Sequence, residues 1–222
     1  VTVSPFPVDA DVMARIRPMT TADVAAIADL HHAAMGASLW ARLGVGFLRQ
    51  LYRSLLEHPS FLGAVYVEDG RVRGFIAGSE DVGALLGDTF RRRGYRLIVP
   101  VIRGLAADPE LSRWLVATPR YIGDTPAHHV KAESLFCSFE KDLRGKRVSG
   151  HINKVLFDEL AARGHRRVKI TTEADNEAAL RQLASWGFAP AGTFRFYGKE
   201  MIALVLDLSA SPRVSPAHRW PR

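Results

Sequence analysis

The segment from 133 to 188 constrains this 222-residue chain more than any other. Its pattern predicts a strand, then a basic turn, Arg144-Gly145-Lys146-Arg147-Val148-Ser149-Gly150, then an amphipathic helix. A second strand follows, then a helix opened by Asp175-Asn176 and stopped near Trp186-Gly187-Phe188. A turn of small and cationic residues feeding a helix start is suited to a phosphate. The first N–H groups of a helix lack intrahelical acceptors, and the helix dipole favours negative charge there. Lysine and arginine beside it add countercharge.

The rest of the chain supplies enough material for one well-buried domain. Hydrophobic residues make up 47% and charged residues 24%, the balance of an ordinary globular protein. A lone cysteine, Cys137, excludes an internal disulfide and fits a reducing compartment, so a cytoplasmic location is expected. There is no CxxC spacing, and the His31-His32 and His128-His129 pairs are neighbours that cannot face one ligand, so no metal is expected. The first residues lack a basic region followed by an apolar run, so they do not predict a secretory leader. The apolar run at 97–102 is far shorter than the roughly 20 residues of a membrane span.

The net charge of +7 is unevenly placed. Residues 84–120 hold seven arginines against Asp88, Asp108 and Glu110, and residues 209–222 hold three arginines and no acid. Those two segments account for the whole excess and leave the body neutral. This argues against a nucleic-acid partner, which calls for a basic face on the body itself.

Along the chain, 1–14 predicts an irregular leader with Pro5 and Pro7. A short strand at 16–19 precedes a helix capped near Thr20 and a second helix at 45–57 with Phe47, Leu48, Leu51 and Leu55 as its stripe. Two strands at 61–67 and 72–78 flank the hairpin turn Glu68-Asp69-Gly70. Residues 84–120 predict two helices separated at Ala107-Asp108-Pro109. Strands follow at 132–139 and 168–172, helices at 150–163 and 176–186, and two closing strands near 190–196 and 200–208. The proline-containing tail 209–222 has no apolar pattern and predicts disorder.

This order of elements resembles the GNAT acyltransferase superfamily over residues 15–208, with 84–120 as an extra segment. The local likeness lies in Leu135-Phe136-Cys137 leading to Leu143-Arg144-Gly145-Lys146, in Asn176-Glu177-Ala178-Ala179, and in Trp186-Gly187-Phe188. The resemblance implies an α/β (α+β) fold: a mixed, mostly antiparallel sheet of six to seven strands flanked by helices. It implies an N-acetyltransferase that passes an acetyl group from acetyl-CoA, or another acyl-CoA, to a primary amine by direct attack in a ternary complex. The acceptor would be an amine-bearing small molecule or a protein amine, and a homodimer is compatible with it. A catalytically degenerate acyl-CoA-binding module with a regulatory role is the alternative.

The same resemblance implies site residues. Pyrophosphate would sit on Arg144, Gly145, Lys146, Arg147, Val148, Ser149 and Gly150, with pantetheine along Phe136, Cys137 and Ser138 and a further contact from Asn176. Arg147 and Ser149 stand where the family has glycines, and Leu183 stands where it often has an acid tyrosine. Glu133 holds the place of the general base, with Glu80 and Asp81 as second choices; a strand-end ion pair is its plain structural role. Tyr197 is the substitute acid, Cys137 a buried thiol, and Asn176 equally a helix cap. The +4 excess of 84–120, centred on Arg91-Arg92-Arg93, predicts a solvated face or attraction to an acidic substrate, a carrier protein or a membrane surface, with a negatively charged acceptor as the expectation.

Overall fold

The computed structural model describes residues 3–115, 125–196 and 198–216. Its sheet begins with alternating apolar residues on two segments that a tight turn can join. β2 (Phe61–Glu68) and β3 (Arg71–Ser79) pair antiparallel around Asp69 and Gly70, whose φ of 52° and 72° are the left-handed values of a two-residue hairpin turn. β1 (Ile16–Pro18) pairs on the outer edge of β2. β4 (Glu133–Phe139) pairs antiparallel with β3, and β5 (Arg167–Glu173) lies parallel to β4. β6 (Ala189–Phe196) and β7 (Lys199–Asp207) close the sheet in the order β1-β2-β3-β4-β5-β7-β6. This is a seven-stranded, mostly antiparallel open sheet flanked by helices, as the sequence resemblance implies.

Helices cover both faces. One face carries α7 (Val148–Ala162) and α8 (Glu177–Trp186), packed through Ile152, Leu156, Phe157, Leu160 and Trp186. Asn176 caps α8 by accepting from the Ala179 N–H at 3.2 Å, and Gly187 ends it. The other face carries α2 (Val24–Ala34), the one-turn α3 (Leu39–Arg42) and α4 (Val45–Leu56). The stripe Phe47, Leu48, Leu51 and Leu55 is buried there as its spacing predicts.

Three segments differ from the sequence expectation. The helix before the expected break at 107–109 is itself two, α5 (Val82–Arg93) and α6 (Tyr95–Ala107), which part at Gly94. Helix α6 ends at Ala107 and helix resumes at 111–115, so the break at 107–109 is present as well. A Cβ on Gly94 would lie 2.2 Å from the Phe90 carbonyl oxygen, so only glycine fits the joint. Residues 10–14 of the leader form a short helix, α1 (Ala10–Ala14), capped by Asp9, and Phe6 stacks on Trp186 at 5.2 Å. The first part of the tail is packed: Lys154 Nζ donates to the Arg213 carbonyl at 2.9 Å, and the Ser215 N–H donates to Asp158 at 2.7 Å. Those buried partners on α7 hold 209–216 in place, and no apolar periodicity in the tail announces them. Residues 217–222 lie outside the described residues.

Candidate active site

The key geometry is where two parallel strands part. β4 and β5 pair only at Glu133↔Lys169 and Ser134↔Ile170, after which they diverge. A register shift in β4 against β3 falls between Ser134 and Phe136, so Leu135 is an extra residue. In consequence Leu135 and Phe136 both pack toward the α2–α4 side, while Cys137 turns to the α7 side. The divergence leaves one edge of β4 without sheet partners beyond Ser134, offering backbone N–H and C=O groups to an extended ligand.

A cavity of about 670 Å³ opens at this fork. Glu133 and Lys169 lie on its wall, Thr171, Thr172 and Glu173 continue along β5, and Asn176 stands at the start of α8. The opposite wall is apolar: Leu39 and Trp40 from α3, Leu51 and Leu55 from α4, Leu86 from α5, and Trp114. Glu133 is buried, and its carboxylate meets Lys169 Nζ at 3.3 Å. Burial pushes the Glu133 carboxyl above the usual carboxylate range, and the Lys169 ammonium opposes that shift only in part. A buried carboxylate held beside one ammonium is a stronger base than an exposed one.

The basic turn lies beyond the other end of β4. Gly145 has φ 81°, and Arg147, which caps the N-terminus of α7, has φ 60° and ψ 7°. This left-handed backbone is one that glycine adopts without a Cβ penalty; here an arginine holds it at a cost of about 1–2 kcal/mol. Arg144, Lys146 and Arg147 are exposed, and none makes an ion pair among the described residues. Ser149 and Gly150 border a second hollow of about 310 Å³ with Gln182, whose buried Nε2 has no hydrogen-bond partner among the described residues. A free helix N-terminus, three unpaired cations and an orphaned buried amide donor fit the phosphates of an acyl-CoA.

The remaining sequence candidates fall as follows. Phe136 lines the cavity and lies 4.8 Å from the ring of buried His31. Burial pushes the Cys137 thiol up to about 12, so it is no nucleophile at neutral pH. Ser138 is buried with its hydroxyl unpartnered among the described residues. Val148 is buried in the core, so only its backbone can face a ligand. Asn176 is a helix cap and a cavity residue at once. Leu183 is buried in the core beneath α8 and carries no acid. Glu80 pairs with Arg163 and His165, and Asp81 caps α5 and meets Lys131 at 3.1 Å, so both second-choice bases hold structural posts. Tyr197 lies outside the described residues. Arg91, Arg92 and Arg93 do not line the cavity; Arg93 binds Glu57 at 2.8 Å, while Arg91 and Arg92 share Asp88.

Sequence reasoning missed Lys169. Its signal was a lysine inside the apolar strand 168–172, but only the register of β4 against β5 brings it to Glu133. It also missed Trp40 and Trp114, because the apolar cavity wall is assembled from segments far apart in the chain.

Among the described residues no group of three metal-ligating side chains comes together. Comparison with family models and with curated proteins finds no match. Solved structures do match. An N-acetyltransferase from Staphylococcus aureus Mu50 superposes with a TM-score of 0.58 at 18% identity, over 87% of this chain and 97% of its own. The ribosomal-protein-S18-alanine N-acetyltransferase from Escherichia coli gives 0.57 at 15% identity, over 93% and 98%. The acetyltransferase yncA from Salmonella typhimurium, solved with its cofactor acetyl-CoA, gives 0.53 at 17% identity, over 93% and 96%. The chain is a GNAT-fold protein.

Proposed function

We propose that this chain is an acyl-CoA-dependent N-acyltransferase that moves an acetyl group from acetyl-CoA to a primary amine. The observation that carries the proposal is the fork of β4 and β5, with the buried Glu133–Lys169 pair at its apex and an unpaired basic turn at its far end. The thioester supplies an activated acyl group with a thiolate as leaving group. A thiol of ordinary pKa about 8.5 leaves tolerably without a dedicated acid, so Leu183 at the family's tyrosine position is compatible with turnover. Tyr197 is kept as the candidate acid.

The harder step is removing a proton from an alkylammonium of pKa about 10.4. Glu133, raised by burial, takes that proton directly or through one water, and Lys169 keeps the carboxylate ionised to do so. Backbone groups of Phe136, Cys137 and Ser138 orient the donor arm, and the turn 144–150 binds its pyrophosphate. Holding amine and thioester together supplies much of the rate.

The cavity alters the expectation about the acceptor. Arg91, Arg92 and Arg93, which suggested negative charge, lie off the cavity wall, which carries Glu133 paired with Lys169, Glu173 paired with Lys199, and Asp175, opposite an aliphatic and aromatic surface. The aliphatic and aromatic wall favours an amine with an apolar body.

Incubation with acetyl-CoA and a panel of amines, read as thiol release, tests the proposal. Release that depends on both supports it. Acetyl-CoA binding with no release from any amine favours the binding module, and neither binding nor release sinks both readings. Arg144→Ala and Lys146→Ala should each weaken acetyl-CoA binding by about 1.5–3 kcal/mol, the worth of a charge-assisted contact. Unchanged affinity in both would remove the pyrophosphate from this turn.

A further inference from the structure

Helix α6 is apolar on two opposite sides. Leu97 and Gly104 are buried, and Gly104 lies so close to Leu43 that a Cβ there would come within 2.9 Å of its side chain. On the other side Tyr95, Ile98, Val99 and Ile102 are 65%, 54%, 54% and 59% exposed. Their spacing of three, four and seven residues sets them in one row along the helix. Single exposed apolar side chains are ordinary, but a contiguous row facing water marks a contact surface. Among the described residues no helix is long and apolar enough to cross a membrane, and α6 has only 13 residues.

The charge beside the row indicates what it meets. Residues 82–107 hold five arginines, Arg91, Arg92, Arg93, Arg96 and Arg103, against one acid, Asp88. Arg93 and Arg96 grip Glu57 at 2.8 Å each, which ties the α5–α6 joint to the end of α4. Arg91 and Arg92 share Asp88 and remain 72% and 66% exposed, and Arg103 makes no ion pair among the described residues. By helical geometry Arg96 and Arg103 flank the same edge of the apolar row. The chain outside 84–120 and 209–222 is neutral, so the positive field is concentrated here.

A second copy docking through the same row would bring two sets of arginines together, which like-charge repulsion opposes. A bilayer with anionic headgroups satisfies both features. The apolar row enters the boundary between headgroups and acyl chains, the arginines reach the phosphates, and Tyr95 sits at the interface as amphipathic aromatics do.

We propose that α5 and α6 form a membrane-surface docking element that lays the Tyr95–Ile98–Val99–Ile102 row on an anionic lipid bilayer. The inference stands independently of the acyltransferase reading.

Vesicle co-sedimentation of the full chain tests it. Vesicles of phosphatidylcholine mixed equally with phosphatidylglycerol should retain the protein, and phosphatidylcholine alone should bind at least about tenfold more weakly. Retention should fall as salt is added, because the arginines are exposed. The double variant Ile98→Glu with Ile102→Glu should lose retention while keeping its circular dichroism and melting temperature, since both positions face water. Arg92→Gln with Arg103→Gln should weaken binding to the anionic vesicles only. Absent binding to both vesicle types, or unchanged binding by the Ile98→Glu/Ile102→Glu protein, overturns the proposal. So does a lipid-free dimer that this double variant abolishes, because the row would then belong to a second copy.

Discussion

The two faces of the sheet are built to different standards. On the α7 side, charged groups are buried and fully engaged: Lys154 and Asp158 pair at 3.0 Å, and the tail supplies a carbonyl to one and an N–H to the other. Glu159, also buried, is held by Arg163 at 2.6 Å. On the α2–α5 side the buried His31 Nε2, Ser54 hydroxyl and Thr89 hydroxyl have no partners among the described residues, against Gln182 Nε2 on α8, and Leu51, Leu55, Leu86 and Phe136 of this side line the large cavity. The difference separates scaffold from workplace. The α7 face fixes the helix whose N-terminus meets the basic turn, and the α2–α5 face leaves room and unsatisfied polarity where an acceptor would enter.

Removing one member of the engaged set should have the largest effect on folding. Asp158→Ala leaves Lys154 buried beside no carboxylate and frees the Ser215 N–H, so it should cost about 3–5 kcal/mol in a denaturant titration. A loss below about 1 kcal/mol would mean that the tail and the ion pair are not part of the scaffold, and the contrast between faces would fail.

The looser face should reveal itself through pH. Burial lowers the His31 pKa from 6.5 to about 4, with His32 adding to the shift, while Nδ1 meets the Tyr52 hydroxyl at 2.7 Å. The folded state therefore binds the proton more weakly than the unfolded one. The stability this confers is complete above about pH 6.5 and is lost progressively as pH falls toward 4, by about 1.4 kcal/mol per unit and about 3 kcal/mol in all. His31→Gln should flatten that slope. A slope unchanged in the variant would assign the acid sensitivity to the other face.

Arg147→Gly sharpens the comparison at the junction of scaffold and site. Relief of the left-handed arginine, offset by glycine's greater unfolded freedom, should raise stability by about 0.5–1 kcal/mol. Acetyl-CoA affinity should fall, since a cation beside the turn is lost. Stability that drops instead would place a structural contact of the Arg147 side chain above its backbone strain.

Much of the scaffold was legible in the sequence, and the reasons are local. Asp69-Gly70 marks a two-residue hairpin, Asn176 and Gly187 bracket α8, and the Phe47-Leu48-Leu51-Leu55 stripe places α4, because each signal lies within a turn or two of its element. The break at Asp108-Pro109 was legible because it is a strong local breaker, whereas the additional joint at Gly94 was missed because it is demanded by contact with Phe90 in the folded helix pair. The packed tail was missed because its partners, Lys154 and Asp158, lie more than fifty residues upstream. At the site, Glu133 and the turn 144–150 stood out, but Lys169 depends on a strand register that no nearby residue encodes. The charge of 84–120 was legible as charge; that Arg91, Arg92 and Arg93 lie off the cavity wall is a property of the fold alone.

The pH–rate profile of Glu133→Gln tests most directly the claim that the fork of β4 and β5 is a reaction centre. With acetyl-CoA and an amine that the wild-type protein accepts, the variant should lose about 100-fold or more in turnover at neutral pH while acetyl-CoA affinity is spared. The deficit should shrink as pH approaches the amine's own pKa, where the acceptor arrives already deprotonated. Turnover equal to wild type at neutral pH, or a deficit constant across the whole range, would contradict the assignment of Glu133 as the base.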